Sequence, residues 1–417
     1  MKILYISQYF PPEAGATQTR AFENVKFLKA KGHELVVLCE IPNHPAGIIF
    51  KGYKGRLFKR EVLQGIDVLY IRVFTSQKKN FVTRILFYST FMFGAYFAGM
   101  GLLRDKFDLI YASSPPLPAA AAGLWLSRHR KIPFYCEIRD LWPDSAVELG
   151  ELKNPFIIKI ARKVESMCYS SAEKVIGVTQ GIVDTLKLTK NLSADKIELV
   201  PNGATTDSFY RDEAGGKEIR SSLGLEGKFV VLYAGILGIA QNLSIMLLAA
   251  DSLKTDIDIH FLIAGAGPEK NMLESMAVQL GLKNTDFIGE YPRTAMPGLY
   301  SAADVALVPL AFKDIFKHAR PSKLFDAWAC ETPVLLGIKG EAEDLLNQCG
   351  GGISYTPDCY KDLADKIILF KKLSESEKRK MGQNGRYYVE KFHSRQMYAD
   401  KLNRLIQQSH MNKATRL

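Results

Sequence analysis

Arg320, Lys323 and Asp326 carry the most specific chemistry in the chain, because they recur at every third residue within HARPSKLFDAWACETPVLLG, residues 318–337. Leu324, Phe325, Trp328 and Ala329 fall at helical spacing, and Pro321 fits a first helical turn, where its missing N–H is no loss. The spacing predicts a helix whose N-terminus lies at Arg320-Pro321-Ser322-Lys323. Backbone N–H groups and the positive end of the helix dipole would meet two cations there, a setting suited to a phosphate or diphosphate. Asp326 shares a face with Lys323, about 5–6 Å away at Cβ. A cation for a diphosphate and a carboxylate for ribose hydroxyls match the layout of a nucleoside diphosphate. An ordinary ion pair on a surface helix would leave the same pattern, so the rest of the chain must separate the two readings.

The elements around this helix form an α/β series. Strands are expected at 229–234, 259–264, 286–289, 305–309, 333–337 and 352–355, with helices at 243–253 and 271–280. The first two strands end in Gly235-Ile236-Leu237-Gly238 and Gly265-Ala266-Gly267-Pro268, turns whose backbone a ligand could approach because glycine has no Cβ. Asp256-Ile257-Asp258 has the D-x-D spacing of metal-dependent sugar transferases but precedes a strand, at the wrong end of a sheet, and reads as a solvated entry. An earlier series runs through strands at 1–7, 33–40, 65–73, 108–113, 132–138, 174–179 and 196–201, which implies a second, mainly parallel sheet. Two of its loops lie where such a sheet places ligands, at the carboxyl ends of strands. One is QYFPPEAGATQTR, with Gly15, Ala16 and Arg20; it lacks G-x-G-x-x-G, which weakens a dinucleotide reading. Arg20 could reach a phosphate or pair with Glu23. The other is EIRDLWPDSAVELG, which crowds Arg139, Asp140, Trp142 and Asp144 together, either for substrate contact or as a helix cap and local ion pair. PNGATTDSFYRDEAGGK, 201–217, has the composition of a linker between two domains.

With 417 residues, 47% hydrophobic and 24% charged, the chain can bury two cores. Six scattered cysteines form no C-x-x-C pair, which argues against a zinc site or disulfide framework and favours a reducing cytoplasm. The start, MKILYIS, lacks the pattern of a secretion signal. Of the net charge of +11, residues 1–205 hold +10 (28 Lys and Arg against 18 Asp and Glu). Clusters at Lys51, Lys54, Arg56, Lys59, Arg60 and at Lys78, Lys79, Arg84 could face an anionic membrane or a phosphorylated substrate, or be merely solvated. No nucleic-acid recognition module accompanies them. Residues 85–103 hold no charge, yet spanning a bilayer would separate strands that belong to one sheet. A buried helix and an interfacial helix dipping one face into lipid, flanked by Lys78, Lys79, Arg84, Arg104 and Lys106, both remain.

Taken together, PNGATTDSF, LIAGAGPEK, FIGEYPRTAMPGLYSAADVALVPL and PSKLFDAWACETPVL resemble the interdomain, glycine-turn, base-pocket and donor-helix elements of GT-B fold glycosyltransferases, in particular family 4. RDLWPDSAVELG and LYAGILGIAQNL are similar to a subgroup that includes N-acetyl-L-fucosamine transferases of bacterial O-antigen and capsule assembly. The resemblance implies two Rossmann-like domains facing across a cleft: 1–205 for the acceptor and membrane, 206–385 for the nucleotide sugar, and C-terminal helices 386–417 returning to the first. It implies a UDP-sugar donor, a lipid-diphosphate-linked saccharide acceptor, retention of configuration, no cofactor or metal, no nucleic-acid partner, and a cytoplasmic protein peripheral to the inner face of the cytoplasmic membrane. Lys323, Arg320, Arg139 and Asp140 are then the catalytic candidates. Gly235, Ile236, Gly238, Gly265, Gly267, Gly289, Glu290, Tyr291, His318, Pro321, Ser322, Leu324 and Asp326 are expected at the donor, and Gly15, Ala16, Arg20, Trp142 and Asp144 at the acceptor. Asp326 falls on the family's ribose-binding Glu, His318 on the other Glu of its E-x7-E motif, Arg139 on an N-domain His, and Ile236 and Gln241 on an Arg and a Lys. A UDP-sugar 2-epimerase, or a nucleotide-sugar-binding adaptor without activity, are the competing readings.

Overall fold

A computed structural model describes residues 1–414 apart from Ala14, Lys79 and Glu151; the side chains of Ala16, Phe81 and 409–414 also lie outside the described residues. The chain divides into two compact units, one of residues 1–201 with 399–417 and one of 202–398. The first thus ends at Pro201 rather than 205, and the second runs to Tyr398 rather than 385.

In the first unit, strands β1 (Lys2–Ile6), β2 (Glu34–Glu40), β3 (Phe58–Leu63), β4 (Ile66–Ile71), β5 (Leu109–Ser114), β6 (Phe134–Ile138), β7 (Lys174–Gly177) and β8 (Ile197–Leu199) make one sheet in the order β3-β4-β2-β1-β5-β6-β7-β8. Neighbours pair in parallel except β3 with β4. The apolar runs ILYI, LVVLC and LIYA are buried, as strands covered on both faces must be. The sequence reading missed β3. Its residues FKREVL read as a charge cluster, but Gln64 (φ 49°) and Gly65 (φ 77°) form a tight hairpin turn that folds them onto β4. Lys59 there pairs with Glu61 and Arg60 with Asp67, so part of that basic cluster is neutralised.

The uncharged segment is the helix Phe81–Gly101. One side, with Phe91, Ala95 and Ala98, is buried, and Phe93 and Tyr96 meet Trp125 of the helix Leu117–Arg130. The other side leaves Val82, Ile85, Leu86, Phe93 and Phe97 exposed as one stripe, so the helix is buried on one face only. No helix among the described residues is long and apolar enough to cross a membrane.

The second unit holds β9 (Phe229–Ala234), β10 (Ile259–Ala264), β11 (Thr285–Gly289), β12 (Val305–Pro309), β13 (Val334–Gly337) and β14 (Gly352–Ser354), all parallel, in the order β11-β10-β9-β12-β13-β14. Alternate residues of β9 enter different cores: Val230, Leu232 and Ala234 join Trp328 and Phe325 on one face, while Phe229, Val231 and Tyr233 join Met246 and Leu247 on the other. Strand order reverses between β9 and β12, and in open α/β sheets the crevice at the carboxyl ends of such a pair is where ligands bind. Helix Arg395–Ala414 begins in this unit and ends in the first, where Asp400 pairs with Lys31 and Asn403 meets His33.

Candidate functional site

The loop after β12 leads into the helix Ser322–Ala329, with Pro321 as its extended N-cap residue, so the helix starts one position after the proline expected in its first turn. Leu324, Phe325 and Trp328 bury one face in the core and fix the helix against the sheet. That anchoring sends Lys323 across the reversal point to the end of β9. Its Nζ donates to Tyr233 Oη at 2.8 Å and lies 4.1 Å from the ring centroid, while Tyr233 Oη donates to the Ile236 carbonyl at 2.5 Å. A Cβ on Gly235 would sit 3.0 Å from this amine, and its φ of 149° itself favours glycine. Burial without a carboxylate partner pushes the Lys323 amine down to about 7. A half-buried amine with no carboxylate partner, at the crevice of a parallel sheet, is poised to gain its charge from an incoming anion. Sequence reasoning did not find Tyr233; an aromatic hydroxyl two residues before a glycine turn was the available signal.

The glycine turns do something other than expected. The N–H of Gly235 donates to the Ala264 carbonyl (2.9 Å) and that of Leu237 to Ala266 (2.9 Å), while Glu269 N–H donates to Leu237 (3.0 Å). A Cβ on Gly265 (φ 144°) would fall 1.8 Å from the Gly235 oxygen, and one on Gly267 2.2 Å from that of Leu237. Gly265 and Gly267 therefore let one turn lie against the other, and the Gly235 amide is spent inside the protein. The amides of Ile236 and Gly238 take no part in this ladder. Gly238 opens the short turn Ile239–Gln241, where Gln241 N–H returns to its carbonyl.

Around the helix start, Arg320 is only 10% exposed and its Nε lies 3.0 Å from Glu341 Oε1, so its charge is already countered. Asp326 is buried beside Tyr300. Ser322 is half-buried and Leu324 fully buried, with its N–H on the Pro321 carbonyl. His318 is exposed at the end of the turn Asp314–His318. Gly289 (φ 74°) ends β11 and accepts from Gly265 N–H at 2.6 Å; Glu290 beyond it is exposed and Tyr291 half-buried.

In the first unit, Arg20 is not placed to meet an acceptor. Its guanidinium is buried and bonds Glu137 Oε1 (2.9 Å), the Pro201 carbonyl (3.1 Å) and the Val200 carbonyl (2.8 Å), which ties β6 to the point where the chain leaves this unit. Burial would raise the Glu137 carboxyl, but Arg20, with Arg139 and Ser113, holds it below its ordinary value. Arg139, after β6, donates to Ser113 Oγ (2.9 Å), Thr17 Oγ1 (2.6 Å) and the Pro115 carbonyl. It sits with Gly15, the N-terminal neighbour of the helix Ala16–Ala30, at the carboxyl end of the sheet. Asp140 accepts from Ser145 Oγ at 2.8 Å; burial raises its pKa, against the opposing pull of Ser145 and Arg139. Asp144 caps nothing. It pairs with Lys190 (2.8 Å) and Arg162 (3.0 Å), which keep it ionised against the burial that opposes charge. Trp142 is half-buried beside it. Among the described residues no cluster of three His, Cys, Asp or Glu could hold a metal ion.

Comparison with known proteins converges on one family. Residues 216–388 match the model "Glycosyl transferases group 1", and residues 15–203 match "Glycosyl transferase 4-like domain". WcaI of Escherichia coli strain K12, whose name assigns it to glycosyl transfer in colanic acid biosynthesis, is 27% identical over 314 residues, 74% of this chain and 76% of that protein. Among solved structures, HepE of Anabaena in complex with UDP-glucose superposes with a TM-score of 0.70 at 16% identity, covering 99% of this chain and 100% of the other. WaaG, a glycosyltransferase involved in lipopolysaccharide biosynthesis, gives 0.69 at 13% identity, covering 97% and 99%.

Proposed function

The chain belongs to the group 1 glycosyltransferases of the GT-B fold, and from that premise we propose that it moves a sugar from a UDP-sugar to a lipid-diphosphate-linked saccharide, retaining configuration, at the inner face of a bacterial membrane. The observation that carries the donor half is the half-buried Lys323 amine at the reversal between β9 and β12. Arrival of a diphosphate supplies the counter-charge that the amine lacks, and departure of UDP places more negative charge beside it. A charge held more tightly in the transition state than before it accelerates the step. Gly235 leaves room for the lysine, and the amides of Ile236 and Gly238 are offered to the phosphates. Arg320 contributes through the Glu341 pair by holding the helix start in place. Asp326 is assigned to the ribose, and Gly289, Glu290 and Tyr291 to the base. On this reading the diphosphate charge is met by Lys323 and backbone, with no metal or cofactor.

The acceptor is assigned to the first unit, where Arg139 and Gly15 stand at the carboxyl end of the sheet. The exposed stripe Val82, Ile85, Leu86, Phe93 and Phe97, with Arg84 among them and Lys78, Arg104 and Lys106 near its ends, has the make-up of a helix lying in a lipid interface. An acylated acceptor would be presented there, which fits a peripheral, cytoplasmic enzyme. The relatives WcaI and WaaG, named for colanic acid and lipopolysaccharide biosynthesis, support a place in O-antigen or capsule assembly, and an N-acetylated sugar such as N-acetyl-L-fucosamine is the favoured donor. The test is mass spectrometry of products from a panel of UDP-sugars with bacterial lipid extract. One sugar added to a lipid-diphosphate saccharide is expected, and Lys323→Ala should lower its rate by about 10²–10³. A new UDP-sugar epimer formed without acceptor, or UDP binding without transfer to any lipid, would overturn the proposal.

A further inference from the structure

Three large apolar side chains stand exposed around the same crevice: Ile236 (49%), Ile239 (58%) and Phe312 (58%). Two loops carry them. Residues 235–242 follow β9, residues 310–313 follow β12, and Ala311 N–H bonds the Ala240 carbonyl at 2.9 Å, so the loops close into one rim. Asp358 fastens both from behind, accepting from Asn242 Nδ2 (2.7 Å) and from Phe312 N–H (2.8 Å), and Asn242 is held at φ 44°. The rim is thus built rather than loose. Isolated surface hydrophobics need no explanation, but three on a tied rim beside the Lys323 amine do.

Resting on the donor reading above, we infer that Ile236, Ile239 and Phe312 form a selectivity wall for the sugar of the UDP-sugar, and that the edge of the ring facing it bears a methyl group instead of a hydroxyl-bearing carbon. These side chains offer no hydrogen bond. A sugar hydroxyl turned toward them loses water without compensation, whereas a methyl gains from leaving water. Apolar walls discriminate modestly, by about 10–200-fold for a methyl-sized difference. A 6-deoxy carbon, CH3 in place of CH2OH, and the methyl of an N-acetyl group both present such a methyl, and the two are separable by experiment.

Dissociation constants of the whole protein are measured for UDP and for three sugars in the gluco and galacto series: the parent UDP-hexose, its 6-deoxy analogue and its 2-acetamido analogue. In at least one series a methyl-bearing donor should bind about 10-fold or more tightly than the parent, and which analogue wins identifies the source of the methyl. In Ile239→Ser and Phe312→Ser that preference should fall to about 2-fold or less, with UDP affinity within about 2-fold of wild type. Parent and analogues binding equally, or a preference that survives both substitutions, would overturn the wall. Loss of UDP binding in the wild type would instead overturn the donor reading, so the two failures are distinct.

Discussion

In the empty protein the Lys323 amine titrates at about 7, because burial disfavours its charge and no carboxylate compensates. At pH 8 such an amine is protonated in about a tenth of molecules. A diphosphate beside it reverses the preference, so UDP binding at pH 8 should take up close to one proton, about 0.9. UDP affinity should then fall by up to about tenfold for each pH unit above 7, until the pKa of the complex is reached. Calorimetry of UDP binding at pH 8 in buffers of different ionisation enthalpy reads the uptake directly, and UDP is fully ionised there. The sign for folding follows from the same shift. The amine ordinarily titrates near 10.5, and a folded pKa below the unfolded one costs stability below pH 7, a cost relieved as pH rises from 7 toward 10.5. Lys323→Met should therefore raise the melting temperature of the empty protein at pH 7, by the equivalent of a few kcal/mol on the order-of-magnitude scale of such shifts, while abolishing the proton uptake. Zero uptake in wild type, or equal uptake in Lys323→Met, would refute the assignment of this amine to the diphosphate.

Other consequences follow from the same geometry. Gly265→Ala drives a methyl into the Gly235 carbonyl 1.8 Å away, so the two turns must part; UDP affinity should drop at least tenfold by calorimetry, along with the melting temperature. Arg20→Met removes the direct ion pair of buried Glu137, leaving it only hydroxyl partners and the neighbouring Arg139, and should destabilise the protein by about 3–5 kcal/mol in urea unfolding, with UDP affinity preserved under native conditions. Phe97→Asp combined with Val82→Asp should cut binding to vesicles of anionic phospholipid by about tenfold or more in a flotation assay, again without changing UDP affinity.

The sheets were legible because buried parallel strands are short continuous apolar runs, as in FVVLYA and HFLIA, punctuated by glycine. The Lys323 helix was legible for a similar local reason, an apolar stripe behind a proline. β3 was hidden because Lys59, Arg60 and Glu61 stand in a row and read as a charge cluster, and only the hairpin brings Arg60 to Asp67 of β4. Arg20 was misread because Glu137 lies 117 residues away, and nothing local signals a buried ion pair closed across a sheet. The partners of Asp144, read as an acceptor contact or a helix cap, were hidden likewise, since Lys190 reaches it from beyond another helix's end. The glycine turns read as ligand loops because glycine marks close approach; which backbone approaches, ligand or neighbouring turn, is decided by strand order.

The most direct measurement is a crystal structure of the protein with UDP. The account predicts diphosphate oxygens within hydrogen-bonding distance of Lys323 Nζ, at the carboxyl ends of β9 and β12. UDP bound elsewhere, with the lysine still resting on Tyr233 as in the empty protein, would contradict it.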